Sequence, residues 1–305
     1  MKLEMRDIEY FAAVAERGNV GRAAEHLGMS QPALSKCLRR LEAEIGAKLV
    51  KRTPKGVDLT TVGAALFARA RGLRLSLDDI AREATDLGQG RAGHLRIGAA
   101  ASSALHFAPL ACGRLLKESP GVTLNLVVGD HNTLLSGLRN GTMDVILTAI
   151  PAAHHADLID ERLYDEEYVI YASVHHSLAK RKQLSLADLV RERWAMGTLN
   201  GSSERRLTQA FADNDLPPPN IAIVTPFLPA RYHLVGTSDL LGFGTRQQMW
   251  YAAARFSVAQ LRIKNLELTL RAGVMHRKDA YLPPVGLRFI EILKATAKEI
   301  ANDNR

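Results

Sequence analysis

Five residues between positions 31 and 39 have the chemistry of base recognition: Gln31, Pro32, Ser35, Lys36 and Arg39. Gln can pair with adenine, Lys and Arg with guanine O6/N7 or phosphate, and Ser with either kind of base edge. At about 100° per residue, Pro32, Ser35, Lys36 and Arg39 cluster on one side of a helix. Leu34, Leu38, Leu41 and Ile45 lie opposite, within roughly 60° of one another. Such a helix buries one face and leaves a polar, basic face free for a major groove. Taken alone, it reads equally as an amphipathic helix with a solvated basic face.

The elements that must position this face favour DNA. A short helix, Arg22 to Leu27, offers Ala23, Ala24 and Leu27 for tight packing and stops at Gly28, which can take a left-handed cap. Ser30 can cap the next helix, and Pro32 falls in its first turn, where a missing N–H costs little. Residues Leu49 to Thr60 then read as two short extended runs around a Pro/Gly turn, a wing with Lys51, Arg52 and Lys55 near its tip. Between Arg22 and Lys55 there are eight Lys or Arg against three Glu, a local net charge of +5.

The run IEYFAAVAERGNVGRAAEHLGMSQPALSKCLRRLEAEIGAKLVKRT, with LTTVGAALFARA after it, resembles the winged helix-turn-helix of LysR-type transcriptional regulators. The order of later elements extends the resemblance over essentially the whole chain. SQPALS followed by LRRLEAEIGAKL is highly specific in combination. The resemblance implies that Gln31, Pro32, Ser35, Lys36 and Arg52 face DNA; the residue chemistry adds Arg39 and Lys55. The chain departs from the family at Gly21, where a hydroxyl residue that bears on one phosphate contact is common. It departs again at Val50, where an aromatic residue is common.

At 305 residues the chain exceeds the usual single-core size, and 47% hydrophobic content supplies ample core material. A net charge of +8 suits an anionic partner. The opening lacks the apolar core of a signal peptide, and no stretch is long and uncharged enough to span a membrane, so a cytoplasmic protein, nucleoid-associated when bound to DNA, is expected. Cys37 and Cys112 fall in different domains and are expected to be reduced, packed thiols.

From Thr60 or Thr61 to about Leu87 a long helix is expected, with Leu66, Ala70, Leu73, Leu77, Ile80, Ala84 and Leu87 alternating steps of four and three. That is a coiled-coil seam, and it predicts a homodimer through this helix; packing on its own domain is the alternative. A two-fold dimer would read two half-sites of an interrupted inverted repeat. Gly88-Gln89-Gly90-Arg91-Ala92-Gly93 reads as a hinge. The domains expected are 1–60 (winged helix-turn-helix), 61–91 (linker helix and hinge) and 92–305 (regulatory).

Beyond the hinge, apolar strands alternate with helices: His94–Ala99, a helix from about Ser103 to Glu118, Val122–Val128, a helix Thr133–Asn140 and Met143–Ile150. A second set follows, with Tyr168–Val174, a strand near Trp194, a helix Glu204–Asp213, Ile221–Thr225, a helix near Pro229–Val235 and Leu240–Gly244. Leu266–Met275 and a helix Leu287–Ile300 close the chain. The fold class is α/β with an N-terminal all-α winged helix-turn-helix, its regulatory part built mainly on parallel sheets.

The family resemblance implies a periplasmic-binding-protein fold for this part, with two α/β subdomains (92–163 with 267–305, and 164–266) around a small-molecule cleft. It also implies Ser102, Ser103, His131, Ser202, Ser203 and Phe227 as effector-binding residues. Three segments that end strands and open helices carry five of these six. Singly, each Ser reads at least as well as an ordinary N-cap. Hydroxyls at helix N-termini favour a carboxylate or another oxygen-rich metabolite. Tetramers are a further implication of the resemblance, and RNA polymerase a further partner.

No metal site or cofactor is expected. His154-His155 and His175-His176 lack zinc-ligand spacing, and Lys180-Arg181-Lys182 reads as a solvated turn. Two alternatives to a ligand-responsive regulator stand: an enzyme using the two-lobed cleft, which lacks a nucleophile elbow, phosphate loop or metal spacing, and a constitutive DNA-organising protein.

Overall fold

The computed structural model describes residues 4–54, 56–89, 93–151, 155–199, 201–278 and 280–303. Lys55, His154, Asn200 and positions 90–92 of the expected hinge lie outside the described residues. The chain forms two compact units, Met1–Thr85 and Asp86–Arg305.

The first unit holds α1 (Met5–Arg17), α2 (Val20–His26), α3 (Gln31–Ile45), the hairpin β1 (Val50–Thr53) and β2 (Gly56–Leu59), and most of α4 (Thr61–Gln89). Asn19 caps α2 by accepting the Arg22 N–H at 3.1 Å, and Ser30 caps α3 by accepting the Ala33 N–H at 3.4 Å, with Pro32 in the first turn. Phe11, Val14, Leu34, Leu38, Leu41 and Leu49 form the core, so the apolar face of α3 is spent inward.

Two buried carboxylates set the geometry around α3. Asp7 of α1 pairs with Arg40. Glu42 accepts from Lys48 Nζ at 2.6 Å and from the Leu49 and Val50 N–H groups at 3.0 and 3.5 Å, which ties the first wing strand to the helix. Burial alone would raise the Glu42 pKa, but these bonds outweigh it and hold the carboxyl below its ordinary range. The Thr60 hydroxyl donates to Lys48 O at 2.6 Å and accepts the Gly63 N–H at 3.0 Å, so one side chain closes the wing and caps α4.

The second unit opens with β3 (His94–Ala99), α5 (Ala101–Leu105), α6 (Phe107–Glu118), β4 (Thr123–Val128), α7 (His131–Arg139), β5 (Val145–Ala149) and β6 (Leu158–Ser173). It continues with β7 (Arg193–Met196), α8 (Ser202–Ala212), β8 (Asn220–Val224), α9 (Leu228–Gly236), β9 (Leu240–Thr245), α10 (Arg246–Phe256), β10 (Val258–Gln260), β11 (Leu268–Arg277) and α11 (Pro284–Asp303). The strand order is β4-β3-β5-β11-β6-β9-β7-β8, with β10 also on β6. β3 is parallel to β4 and β5, and β7 to β8 and β9; these triplets are the two lobes. The long antiparallel pair β6 and β11 joins them, paired from Leu158↔Arg277 to Tyr168↔Leu268 with a register shift between Ala272 and Gly273. One lobe is cored by Leu95, Ile97, Phe107, Leu147, Phe289 and Leu293, the other by Ile170, Trp194, Leu207, Phe211 and Leu241.

Three features differ from the sequence expectation. The helix expected from Ser103 to Glu118 is two helices, broken at His106. Pro109 explains the break: its ring would meet the carbonyl of Leu105 four residues earlier, so the chain restarts and places Pro109 in a first turn. Strand β6 begins ten residues before the expected Tyr168, through a run of acidic residues that long pairing with β11 holds without an apolar face. Helix α10 was not expected at all, although Thr245 and Gln248 form a capping box that marks its start.

Candidate nucleic-acid interface and ligand cleft

On α3, Gln31, Pro32, Lys36 and Arg39 are exposed and Ser35 is half-buried; on β1, Lys51 and Arg52 are exposed. Arg40 and Lys48 are committed to Asp7 and Glu42. Among the described residues Lys36, Arg39 and Arg52 have no ion pair, so the exposed face of α3 and the wing both carry free positive charge. Gly21, which lacks the family's hydroxyl, lies beside Asn19 Oδ1 and the Gln31 carboxamide.

The stripe expected on α4 divides in two. Leu66 and Ala70 are spent within the first unit, Leu66 packing against its core and Ala70 buried. Leu73, Leu77 and Ile80 remain 40%, 42% and 61% exposed, an apolar row without cover. The side chain of Leu87 lies outside the described residues.

In the second unit, helices α5, α7, α8, α9 and α10 follow β3, β4, β7, β8 and β9, so their N-termini stand at the carboxyl ends of parallel strands. The N-cap positions of α5 and α8 are Ala100 and Gly201, so Ser102, Ser103, Ser202 and Ser203 are not N-caps. Ser103 is buried; the other three are half-buried, and the Ser203 hydroxyl donates to Glu204 Oε2 at 2.8 Å. His131 is the first residue of α7, with Nδ1 3.1 Å from Thr148 Oγ1. Burial lowers its pKa, and His155, Arg205 and Arg139 lower it further, while Asp130 opposes them. Arg139 Nη2 lies 3.2 Å from His155 Nδ1, and Arg205 Nη2 donates to Ser202 at 3.4 Å. His131 thus brings basic groups of both lobes within electrostatic reach of one another, a grouping that sequence spacing alone did not reveal. Phe227 is 64% exposed at the start of α9.

A cavity of about 860 Å³ is lined by both lobes and by β6. Of the six effector residues expected, it is lined by Ser102; Ser103, His131, Ser202, Ser203 and Phe227 stand outside it. Cys37 and Cys112 are half-buried free thiols, and burial pushes the Cys112 pKa up to about 11, away from redox reactivity. Among the described residues no helix is long and apolar enough to cross a membrane.

Two family models match. Residues 5–64 match the bacterial regulatory helix-turn-helix protein of the lysR family, and residues 88–298 the LysR substrate binding domain. The chain is 33% identical over 211 residues to the RuBisCO operon transcriptional regulator of Allochromatium vinosum, covering 69% of each chain. It is 36% identical over 197 residues to the uncharacterized HTH-type transcriptional regulator YnfL of Escherichia coli, covering 63% of this chain and 65% of that one. In fold it is similar to the crystal structure of CbnR, a LysR family transcriptional regulator, with TM-score 0.64 at 23% identity over 97% of this chain and 99% of that one. A Corynebacterium glutamicum OxyR mutant gives TM-score 0.59 at 22% identity over 99% and 95%.

Proposed function

The chain belongs to the LysR family of bacterial transcriptional regulators, and from that premise we propose how it reads DNA and what controls it. It is a DNA-binding regulator with an effector-binding domain, and not an enzyme. In our reading it works in the cytoplasm, at the nucleoid when bound, as a homodimer through α4 that assembles into a homotetramer. It grips an interrupted inverted repeat and acts with RNA polymerase as a further partner. Gln31, Pro32, Ser35, Lys36 and Arg39 read the major groove, while Arg52 and Lys55 hold the backbone beside it.

The observation that carries this reading is the unpaired charge of Lys36 and Arg39 on the exposed face of α3 and of Arg52 on the wing, beside Arg40 and Lys48, which are tied to Asp7 and Glu42. Replacing Ser35 or Lys36 by Ala is expected to cost about 1–3 kcal/mol on the specific site and to relax base preference. Arg52→Ala should weaken all sequences alike and flatten the salt dependence. Gel shifts on the intergenic DNA beside the gene, over a salt series, check this; unchanged affinity in all three variants would sink the assignment.

The effector, in this proposal, is a carboxylate or another oxygen-rich metabolite held between the lobes by Ser102, Ser103, His131, Ser202, Ser203 and Phe227. The gathering of His131, His155 and Arg205, beside an Arg139 that is paired with Asp157 at 2.8 Å, supports an anion there. A ligand that prefers one lobe arrangement shifts the population of DNA-bound geometries, with coupling of about 1–3 kcal/mol. Ser203→Trp should abolish an effector-dependent change of footprint while leaving basal operator affinity intact. Thermal shift and footprinting against small mono- and dicarboxylates test it, and no change with any of them counts against the anionic effector.

A further inference from the structure

The 860 Å³ cavity carries a chemistry opposite to that of the His131 cluster. Three consecutive carboxylates of β6, Asp165, Glu166 and Glu167, line it. Asp165 pairs with Arg162, and Glu167 accepts from Arg246 Nε at 2.6 Å. Glu166, between them, is only 7% exposed, and no cation lies within ion-pair distance of it among the described residues. Its carboxyl accepts from the Tyr168 hydroxyl at 3.1 Å and is also held by the Ser102 hydroxyl. A buried carboxylate without a counter-charge is costly, and burial pushes this one up to about 7.

The rest of the wall is aromatic and apolar. Tyr164 lines it with a hydroxyl that is buried without a hydrogen-bond partner. Trp250 and Tyr251 of α10 line it at 82% and 45% exposure. The ring of Tyr251 already takes a cation, Arg255, at 5.2 Å from its centre. Leu105 and Ile300 complete an apolar side. An anion entering here would meet three carboxylates, two of them already paired. A neutral apolar ligand would leave Glu166 uncompensated.

We infer that this cavity binds an organic ammonium compound with an apolar body, its cation on Glu166 and its body against Trp250, Tyr251 and Leu105. The walls come from α5 and α11 of one lobe, α10 of the other and the crossover strand between them, so the ligand would bias the lobe arrangement. It would be an input distinct in charge from the anionic effector proposed at His131, the two sites meeting at Ser102.

Benzylamine is a suitable probe, with benzyl alcohol as its neutral counterpart. Calorimetric titration of the full-length chain at pH 8 should rank benzylamine at least about tenfold tighter than benzyl alcohol. Trp250 fluorescence should respond, because Trp194, the other tryptophan, is buried in the core of its lobe. Below a pH of about 7 the affinity should fall by about tenfold per pH unit as Glu166 takes up a proton. Glu166→Gln should erase the preference for benzylamine, and Glu166→Asp should keep part of it. Equal binding of benzyl alcohol, no benzylamine binding at millimolar concentration, or an unchanged ranking in Glu166→Gln would overturn the inference. If Glu166→Gln fails to fold, the wild-type ranking and its pH profile still decide. Because the probe series does not involve DNA or carboxylate effectors, its failure leaves the anionic-effector reading standing.

Discussion

Replacing Leu73 and Leu77 together by Glu is expected to turn the proposed dimer into a folded monomer that barely holds its operator. Both side chains lie on α4 beyond the part that packs on the first unit's core, and both are exposed, so charging them removes no contact with that core. In a dimer they would sit on the seam, where four carboxylates facing one another could not be desolvated. A second tethered DNA reader raises apparent affinity by about 10²–10⁴-fold, and the monomer forfeits that gain. Sedimentation of both proteins at micromolar concentration, with fluorescence anisotropy on the operator, measures the two effects. A monomeric wild type, or a double variant that remains dimeric, rules the seam out. Leu66 and Ala70 provide the contrast: charging either should cost fold stability as well, because the first unit uses them.

That division of one stripe shows where sequence periodicity stops being informative. Steps of four and three from Leu66 to Ile80 look like one seam, but the period is the same whether the partner is another copy or the chain's own core. The winged helix-turn-helix was legible because each of its signals is local: Ser30 as a cap, Gly28 as a left-handed stop, Leu34, Leu38 and Leu41 as one face. The lobes were legible because their strands are short apolar runs. The joining strand was not, since the Asp165-Glu166-Glu167 run of β6 pairs edge to edge and offers no apolar pattern. Nothing local marks Glu166, and only tertiary packing makes it a buried carboxylate. The basic grouping around His131 was hidden for the same reason: His155 and Arg139 lie 24 and 8 residues from it in sequence, and Arg205 lies in the other lobe. Helix α10 differs, because Thr245 and Gln248 announced it.

Gly56→Ala is expected to unseat the wing from the helix behind it, at a cost of about 2–4 kcal/mol. Gly56 opens β2 with φ 138°, a backbone conformation that side chains with a Cβ rarely adopt. A Cβ built there would lie 2.1 Å from the carbonyl oxygen of Gly18, the atom that accepts the Val57 N–H at 2.8 Å. Gly18 cannot readily withdraw, because it is itself the left-handed C-cap of α1, with φ 58°. The hairpin must therefore lift away and lose the Val57 bond, carrying with it Arg52, which pairs with Val57 across the hairpin. Gly28→Ala is the control: φ is 64°, but nothing lies within 4 Å of the added carbon, so only the conformational term, about 1 kcal/mol, remains. Denaturant unfolding of the full chain should place Gly56→Ala well below Gly28→Ala in the transition of the first unit. Operator affinity should fall with it across all sequences, as for loss of a backbone contact. Two variants of equal stability, or a Gly56→Ala protein that binds as tightly as wild type, would mean that docking on Gly18 does not hold the wing.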